Sequence, residues 1–144
     1  MDLKIAFSAS EAEAAQRARA ALTELYGDCD EAAADVIVAL GGDGFMLQTL
    51  QRTQALRLSV YGMNRGTIGF LMNEFSVETL PQRLALAEQT VINPLAMKAT
   101  DVTGKTHLSL AINEVSLLRA GPQAAKLRIS VDGRARLDEL VCDG

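Results

Sequence analysis

The sequence predicts an α/β chain: a parallel sheet covered by helices over residues 1–94, then the beginning of an all-β domain over residues 95–144. Three observations predict it. Asp35-Val36-Ile37-Val38-Ala39-Leu40 is continuously apolar after its aspartate and rich in β-branched residues, as a strand covered on both faces reads. Short apolar runs alternate with helical stretches on either side of it, at the spacing of βα units. Beyond Asn93-Pro94 the helical stretches cease. There Leu127, Ile129 and Val131 alternate with Lys126, Arg128, Ser130 and Asp132, the pattern of a half-exposed antiparallel strand.

Each element follows in order. Leu3 to Phe7 reads as a first strand. Ser8-Ala9-Ser10 then offers a hydroxyl cap, with Glu11 and Glu13 in the first turn of a helix running to Tyr26. Ala18, Ala21, Leu22 and Leu25 form its apolar stripe, and Gly27 is its stop. The strand over 35–40 runs into Gly41-Gly42-Asp43-Gly44, and a helix extends from Phe45 to about Thr53, with Phe45, Leu47 and Leu50 among its apolar positions. Leu58 to Tyr61 is a further strand, ending on Gly62. This succession predicts a Rossmann-like sheet. A loop from Asn64 to Asn73 carries Gly66, Gly69 and the trio Phe70-Leu71-Met72. Ser76 is expected to cap a helix over 77–88, with Pro81 early enough to be tolerated.

In the β-rich part, Leu95 to Asp101 and Thr106 to Leu118 read as strands joined around Thr103-Gly104-Lys105. Asp132-Gly133 is a hairpin signal, and Ala135 to Cys142 returns. A lobe of about four strands has open edges. The chain is therefore expected to be a fragment, or a protein whose partner surface supplies the rest.

Composition excludes several classes. The net charge is −4, the 14 basic residues are scattered, and aromatics reach only 4%, which argues against a nucleic-acid surface. Two cysteines, Cys29 and Cys142, make no disulfide framework and are expected to be free, partly buried thiols. No apolar stretch approaches the roughly 20 residues of a membrane span. The first strand candidate begins at Leu3, leaving no room for a signal peptide, so a cytoplasmic protein is expected. No His/Cys cluster has metal-ligand spacing, so no protein metal site is expected, and His107 reads as a surface residue.

Chemistry is concentrated at Gly41-Gly42-Asp43-Gly44. The carboxyl edge of a parallel strand is where open α/β sheets bind ligands. Glycines allow close approach of a phosphate, and the following helix start offers unpaired N–H groups. Neither the spaced dinucleotide fingerprint nor the P-loop pattern is present, so a plain tight turn is the competing reading. Asp43 is the informative member: an acid here can take or orient a hydroxyl proton, hold a phosphate-bound cation, or cap the next helix.

The run from Val38 to Leu47 resembles the signature of NAD kinases, a turn shared across the superfamily with diacylglycerol, sphingosine and 6-phosphofructo kinases. Gly62-Met63-Asn64-Arg65-Gly66-Thr67-Ile68-Gly69-Phe70-Leu71 resembles a second, narrower segment of the NAD kinase family. Asn113-Glu114-Val115 and Asp143-Gly144 are third and fourth matches in the expected order. Two departures stand beside them. Phe45 occupies a position where most members have threonine, and the residues after 94 are far fewer than the family's second domain.

The resemblance implies transfer of the γ-phosphoryl of ATP, or a phosphoryl of polyphosphate, to the 2′-hydroxyl of the adenosine ribose of NAD. It implies Asp43 as the catalytic group that orients or deprotonates that hydroxyl. Gly41, Gly42 and Gly44 would cradle phosphates, with the backbone at Phe45 helping. Arg65 would contact a phosphate or hold its loop, and Phe70 would pack on the dinucleotide or in the core. Asn113 and Glu114, adjacent in sequence, would reach adenine and a ribose hydroxyl if a bulge or loop turns them together. Asp143 would recognise adenine or nicotinamide, or be a plain turn acid. Mg²⁺ would ride on ATP, NAD would be the substrate, and the assembly would be a homo-oligomer acting on neither nucleic acid nor membrane. A diacylglycerol-type lipid kinase and a non-catalytic nucleotide-binding or oligomerisation fragment are the alternatives.

Overall fold

A computed structural model describes residues 3–66 and 69–144. It divides into two compact units, residues 1–94 and 95–144.

The first unit is built on three parallel strands in the order β1 (Ile5–Ala9), β2 (Val36–Gly41), β3 (Ser59–Asn64). All six residues of β2 are buried, because it lies between two neighbours and under helices on both faces. Ile5, Phe7, Val36, Val38, Leu40 and Met63 share the face covered by helix α1 (Glu13–Tyr26), through Ala15, Ala18 and Leu22. The other face carries Gly41 and Gly62, against which Phe45 and Met46 of helix α2 (Asp43–Thr53) pack. Helix α3 (Leu80–Leu86) joins the α1 side through Leu80, and the Tyr26 hydroxyl donates to the Val77 carbonyl at 2.8 Å. The edge strand β1 has its Phe7 N–H taken by Asp28 at 3.0 Å, which helps shield an open edge.

Several boundaries differ from expectation. The first strand lies at Ile5–Ala9 rather than Leu3–Phe7, and Ser10 N–H still donates to Leu40 on the sheet. The helix therefore starts later, at Glu13, with Ala12 as its cap and no hydroxyl closing it. Its buried stripe is Ala15-Ala18-Leu22, whereas Leu25 is exposed. Gly27 does stop it, at φ 75°, donating its N–H to Thr23. Strand β3 does not end on Gly62 but runs to Asn64, because its outer edge pairs with the loop at Asn73. Ser76 caps nothing: its hydroxyl donates to the Glu78 carbonyl, and a left-handed Thr79 delays the helix until Leu80. It ends at Leu86, where Ala87 turns extended.

The second unit holds two antiparallel hairpins, β4 (Leu95–Thr100) with β5 (Thr106–Ala111), and β6 (Ala125–Val131) with β7 (Arg134–Cys142). Strand β5 stops at Ala111, not Leu118, because Ala111 is paired with the first residue of β4 and no partner remains. The β6–β7 turn is Asp132-Gly133 with φ 52° and 74°, positive at both positions as a two-residue hairpin prefers. Both cysteines are free and half-buried. Burial, with Asp28 next in weight, pushes the Cys29 thiol above its ordinary value. No described helix is long and apolar enough to cross a membrane.

Candidate functional site

The site begins where β2 meets α2. Gly42 caps the helix with extended backbone and contributes no side chain, so the first-turn N–H groups are left open to an acceptor. A Cβ on Gly42 or Gly44 would meet nothing within 4 Å. Gly42 lies at φ −113°, which other residues also adopt. Neither backbone strain nor packing among the described residues demands glycine there, and a closely approaching ligand could use that space. Gly41 is different. A Cβ there would lie 2.8 Å from Cβ of Phe45, whose ring covers it. Phe45 is thus half-buried over the first glycine of the run.

Asp43 does not cap α2 through its side chain. Its carboxylate crosses to the loop after β3, where Oδ2 accepts from Phe70 N–H at 2.8 Å and Oδ1 from Leu71 N–H at 3.0 Å. Gly69 sits directly beneath, and a Cβ on it would overlap that carboxylate. The glycine-aspartate turn and the second motif are therefore one construction, joined by an acid and held in register by a glycine. Thr67 and Ile68 of that motif lie outside the described residues.

The same loop returns along the sheet. Asn73 N–H donates to the Gly62 carbonyl at 2.8 Å, and Asn64 N–H to the Asn73 carbonyl at 2.8 Å. Gly62 leaves room for the sulfur of Met72. Phe70, at 103% relative exposure, is outside the core, which leaves its ring free for a ligand. Arg65 holds the loop: its N–H donates to the Gly41 carbonyl at 2.8 Å and its Nε to the Ala14 carbonyl at 3.3 Å. Its guanidinium also lies 4.2 Å from the Phe75 ring centre. An open cavity of about 740 Å³ adjoins it, lined by Asn64, Arg65, Gly69, Asn73, Glu74 and Phe75 among others.

Gly41, Gly42, Asp43, Gly44, Phe45, Arg65 and Phe70 thus gather at one edge of the first unit. Asn113, Glu114 and Asp143 belong to the second. Asn113 and Glu114 are not on a strand: they follow β5 in an exposed loop, so the alternation of strand faces does not separate them. The Asn113 amide donates to the Glu114 carboxylate at 2.8 Å. Asp143 pairs with Arg119 Nε at 2.8 Å, and its carbonyl accepts from Arg119 N–H at 3.0 Å. Among the described residues, no group of three or more His, Cys, Asp or Glu side chains is placed to hold a metal. Gly69, Asn73 and Phe75 were missed by sequence reasoning. Gly69 stood inside the second motif, but its contact with an acid 26 residues earlier leaves no local signal.

Residues 3–90 match the ATP-NAD kinase N-terminal domain. The chain belongs to the NAD kinase family. It is 60% identical over 141 residues to an NAD kinase of Cereibacter sphaeroides, covering 98% of this chain and 56% of that protein. The NAD kinase of Rhizobium meliloti is 59% identical over 140 residues, 97% of this chain and 54% of its own. That of Caulobacter vibrioides is 55% identical over 141, at 98% and 54%. The chain spans about half the length of these relatives. Similarity to NAD kinases reaches into the second unit, beyond the matched domain, and none of these findings favours the lipid-kinase alternative.

Proposed function

We propose that this chain handles nucleotide in an enzyme that transfers the γ-phosphoryl of ATP to the 2′-hydroxyl of the adenosine ribose of NAD, giving NADP. The supporting observation is the turn at the carboxyl end of β2: open space over Gly42 and Gly44, an uncapped helix start, and Asp43 beside them. Its similarity to NAD kinases supplies the substrates.

Phosphoryl transfer asks mainly for positioning and for neutralised charge. Gly42 and Gly44 would let phosphate oxygens approach the N–H groups of α2. Gly41 would support Phe45, which closes that side against water. Asp43 would orient or deprotonate the acceptor hydroxyl. The two loop amides use one lone-pair site on each of its oxygens, and a carboxylate has about four, so capacity for the hydroxyl remains. The exposed ring of Phe70 would take a base or nicotinamide face. Asn113 and Glu114 would meet adenine and a ribose hydroxyl, and Asp143 would take part in base recognition. The divalent cation, Mg²⁺, would enter on the phosphates of ATP, where it neutralises charge. The setting would be cytoplasmic and the assembly a homo-oligomer, for which the exposed apolar residues of the second unit offer surface.

The test is NADP formation from NAD with ATP or with polyphosphate, using the full-length enzyme. Asp43→Asn should lower kcat by roughly 10²–10⁴-fold, the usual weight of a positioned acid or base. NAD binding without turnover in the unaltered enzyme would favour a binding module, and turnover of diacylglycerol but not NAD would overturn the reading.

A further inference from the structure

We propose that Arg119 is a positioning residue for NAD recognition: it ties the segment carrying Asp143 to the loop carrying Asn113 and Glu114, and sets the Asp143 carboxylate for the ligand. This rests on the reading above, in which those three residues meet NAD, and adds the group that would assemble them.

Residues 112–124 form a loop between β5 and β6. Asn113 and Glu114 stand near its start and Arg119 at its middle. Arg119 reaches residue 143, just past β7, in two ways. Its N–H donates to the Asp143 carbonyl at 3.0 Å, and its Nε pairs with Asp143 Oδ1 at 2.8 Å. The first contact fixes the backbone of residue 143 and the second its side chain. The guanidinium is itself braced, because Nη1 donates to the Gly121 carbonyl at 3.2 Å and to the Pro122 carbonyl. The fixed φ of Pro122 stiffens that turn. Gly144 completes the joint: a Cβ on it would overlap the Leu117 carbonyl. The loop and the segment after β7 are thus held together around one arginine.

The chemistry of the pair divides support from recognition. An arginine fork can meet several acceptors at once in a set plane, whereas a lysine offers one nitrogen. The Arg119 side chain is 34% exposed and that of Asp143 is 79% exposed, so the cation is anchored and the acid stands in solvent. A carboxylate has about four lone-pair sites. Arg119 engages Oδ1, and among the described residues no other group bonds to this carboxylate, which leaves Oδ2 for an N–H donor of a base or carboxamide. A side chain already held in place loses less freedom when a ligand arrives. The contribution of Arg119 is therefore to the binding of NAD and not to the transfer step, and it belongs in KM rather than kcat.

A double-mutant cycle in the full-length enzyme tests this. Arg119→Ala should raise the KM for NAD roughly threefold to fivefold, the upper range for a partly exposed ion pair, with kcat and the KM for ATP unchanged. Arg119→Lys should recover part of it, since one ammonium can meet Asp143 but not the two loop carbonyls as well. Asp143→Ala should raise the KM for NAD further. The double variant should be no worse than Asp143→Ala alone, because the side chain that Arg119 supports is then gone. Calorimetric titration with NAD reads the same cycle without turnover. Additive losses in the double variant overturn the proposal, as does an unchanged KM for NAD in Arg119→Ala beside an impaired Asp143→Ala; both leave the reading of Asp143 standing. An Asp143→Ala enzyme that binds NAD like its parent overturns both. If titration shows the coupling yet the unaltered enzyme makes no NADP, the phosphoryl-transfer reading fails and the role of Arg119 stands.

Discussion

At the scale of single residues, the glycines around Asp43 fall into two kinds. Gly69 is glycine because a carboxylate occupies the place of its Cβ, and Gly41 because the Phe45 ring does. Among the described residues, nothing fills the space above Gly42 and Gly44, and their backbone is one other residues can adopt. The two kinds should separate in experiment. Gly69→Ala should push the Asp43 carboxylate off the Phe70 and Leu71 amides, destabilise the chain by about 1–3 kcal/mol as an overpacked site does, and abolish activity. Gly42→Ala should leave the denaturation midpoint near that of the parent while NADP formation falls at least about tenfold, the effect of roughly 1.4 kcal/mol at the transition state. Denaturant melts and initial rates on the same preparations decide it. A fully active Gly42→Ala enzyme would remove the case that a ligand occupies that space.

At the scale of elements, the β4–β5 hairpin shows how a turn is fixed by one acid. Asp101 Oδ1 accepts from the Thr103 N–H at 2.9 Å, its hydroxyl at 2.6 Å and the Lys105 N–H at 3.0 Å, while Oδ2 faces His107 at 3.2 Å. The Thr103 hydroxyl, then His107 and the two backbone N–H groups, hold the Asp101 carboxyl below its ordinary value. A carboxyl depressed in the folded state contributes stability above its unfolded pKa of about 3.9, and that stability is lost as pH falls through the folded value. Amide shifts of Thr103 and Lys105 should therefore hold from neutral pH to the ordinary carboxylate range and collapse below it. In Asp101→Asn this acid transition should vanish, as two-dimensional NMR titration would show. The hairpin turns at Gly104 and Asp132-Gly133 were legible in the sequence because turn chemistry is local. Strand β2 was legible because burial on both faces writes an unbroken apolar run. The starts of α1 and α3 were not. Ser10 and Ser76 look like caps, but Ser10 N–H is held by Leu40 of the sheet and Thr79 enters a left-handed conformation. Both are decided by tertiary contacts rather than by neighbouring residues. The site divides the same way. The glycine-aspartate turn was visible as a motif, while its bond to residues 70 and 71 is a contact across 27 and 28 positions.

At the scale of the whole molecule, burial is unequally divided. The first unit holds every buried residue described, with β2, α1 and Leu80 at its centre. The second unit has none, and leaves Leu108, Leu110, Leu117, Leu118, Val131 and Val141 exposed. Hairpins without a covered apolar face are marginal in water, since ladder hydrogen bonds alone contribute little net stability. Local opening should follow that division. In hydrogen exchange on this 144-residue chain, the amides of Ile37 to Leu40 should be the slowest, approaching the exchange limit set by global unfolding. The amides of β6 and β7 should exchange through local opening, at least about 100-fold faster, because they lack the packing that makes opening global. Adding NAD separates two further outcomes. If Asn113, Glu114 and Asp143 take part in recognition, exchange around residues 111–119 and 141–144 should slow with ligand. Protection confined to residues 41–45 and 69–75 would restrict nucleotide contact to the first unit, and equal protection of β2 and β7 without ligand would show that the hairpins are covered after all.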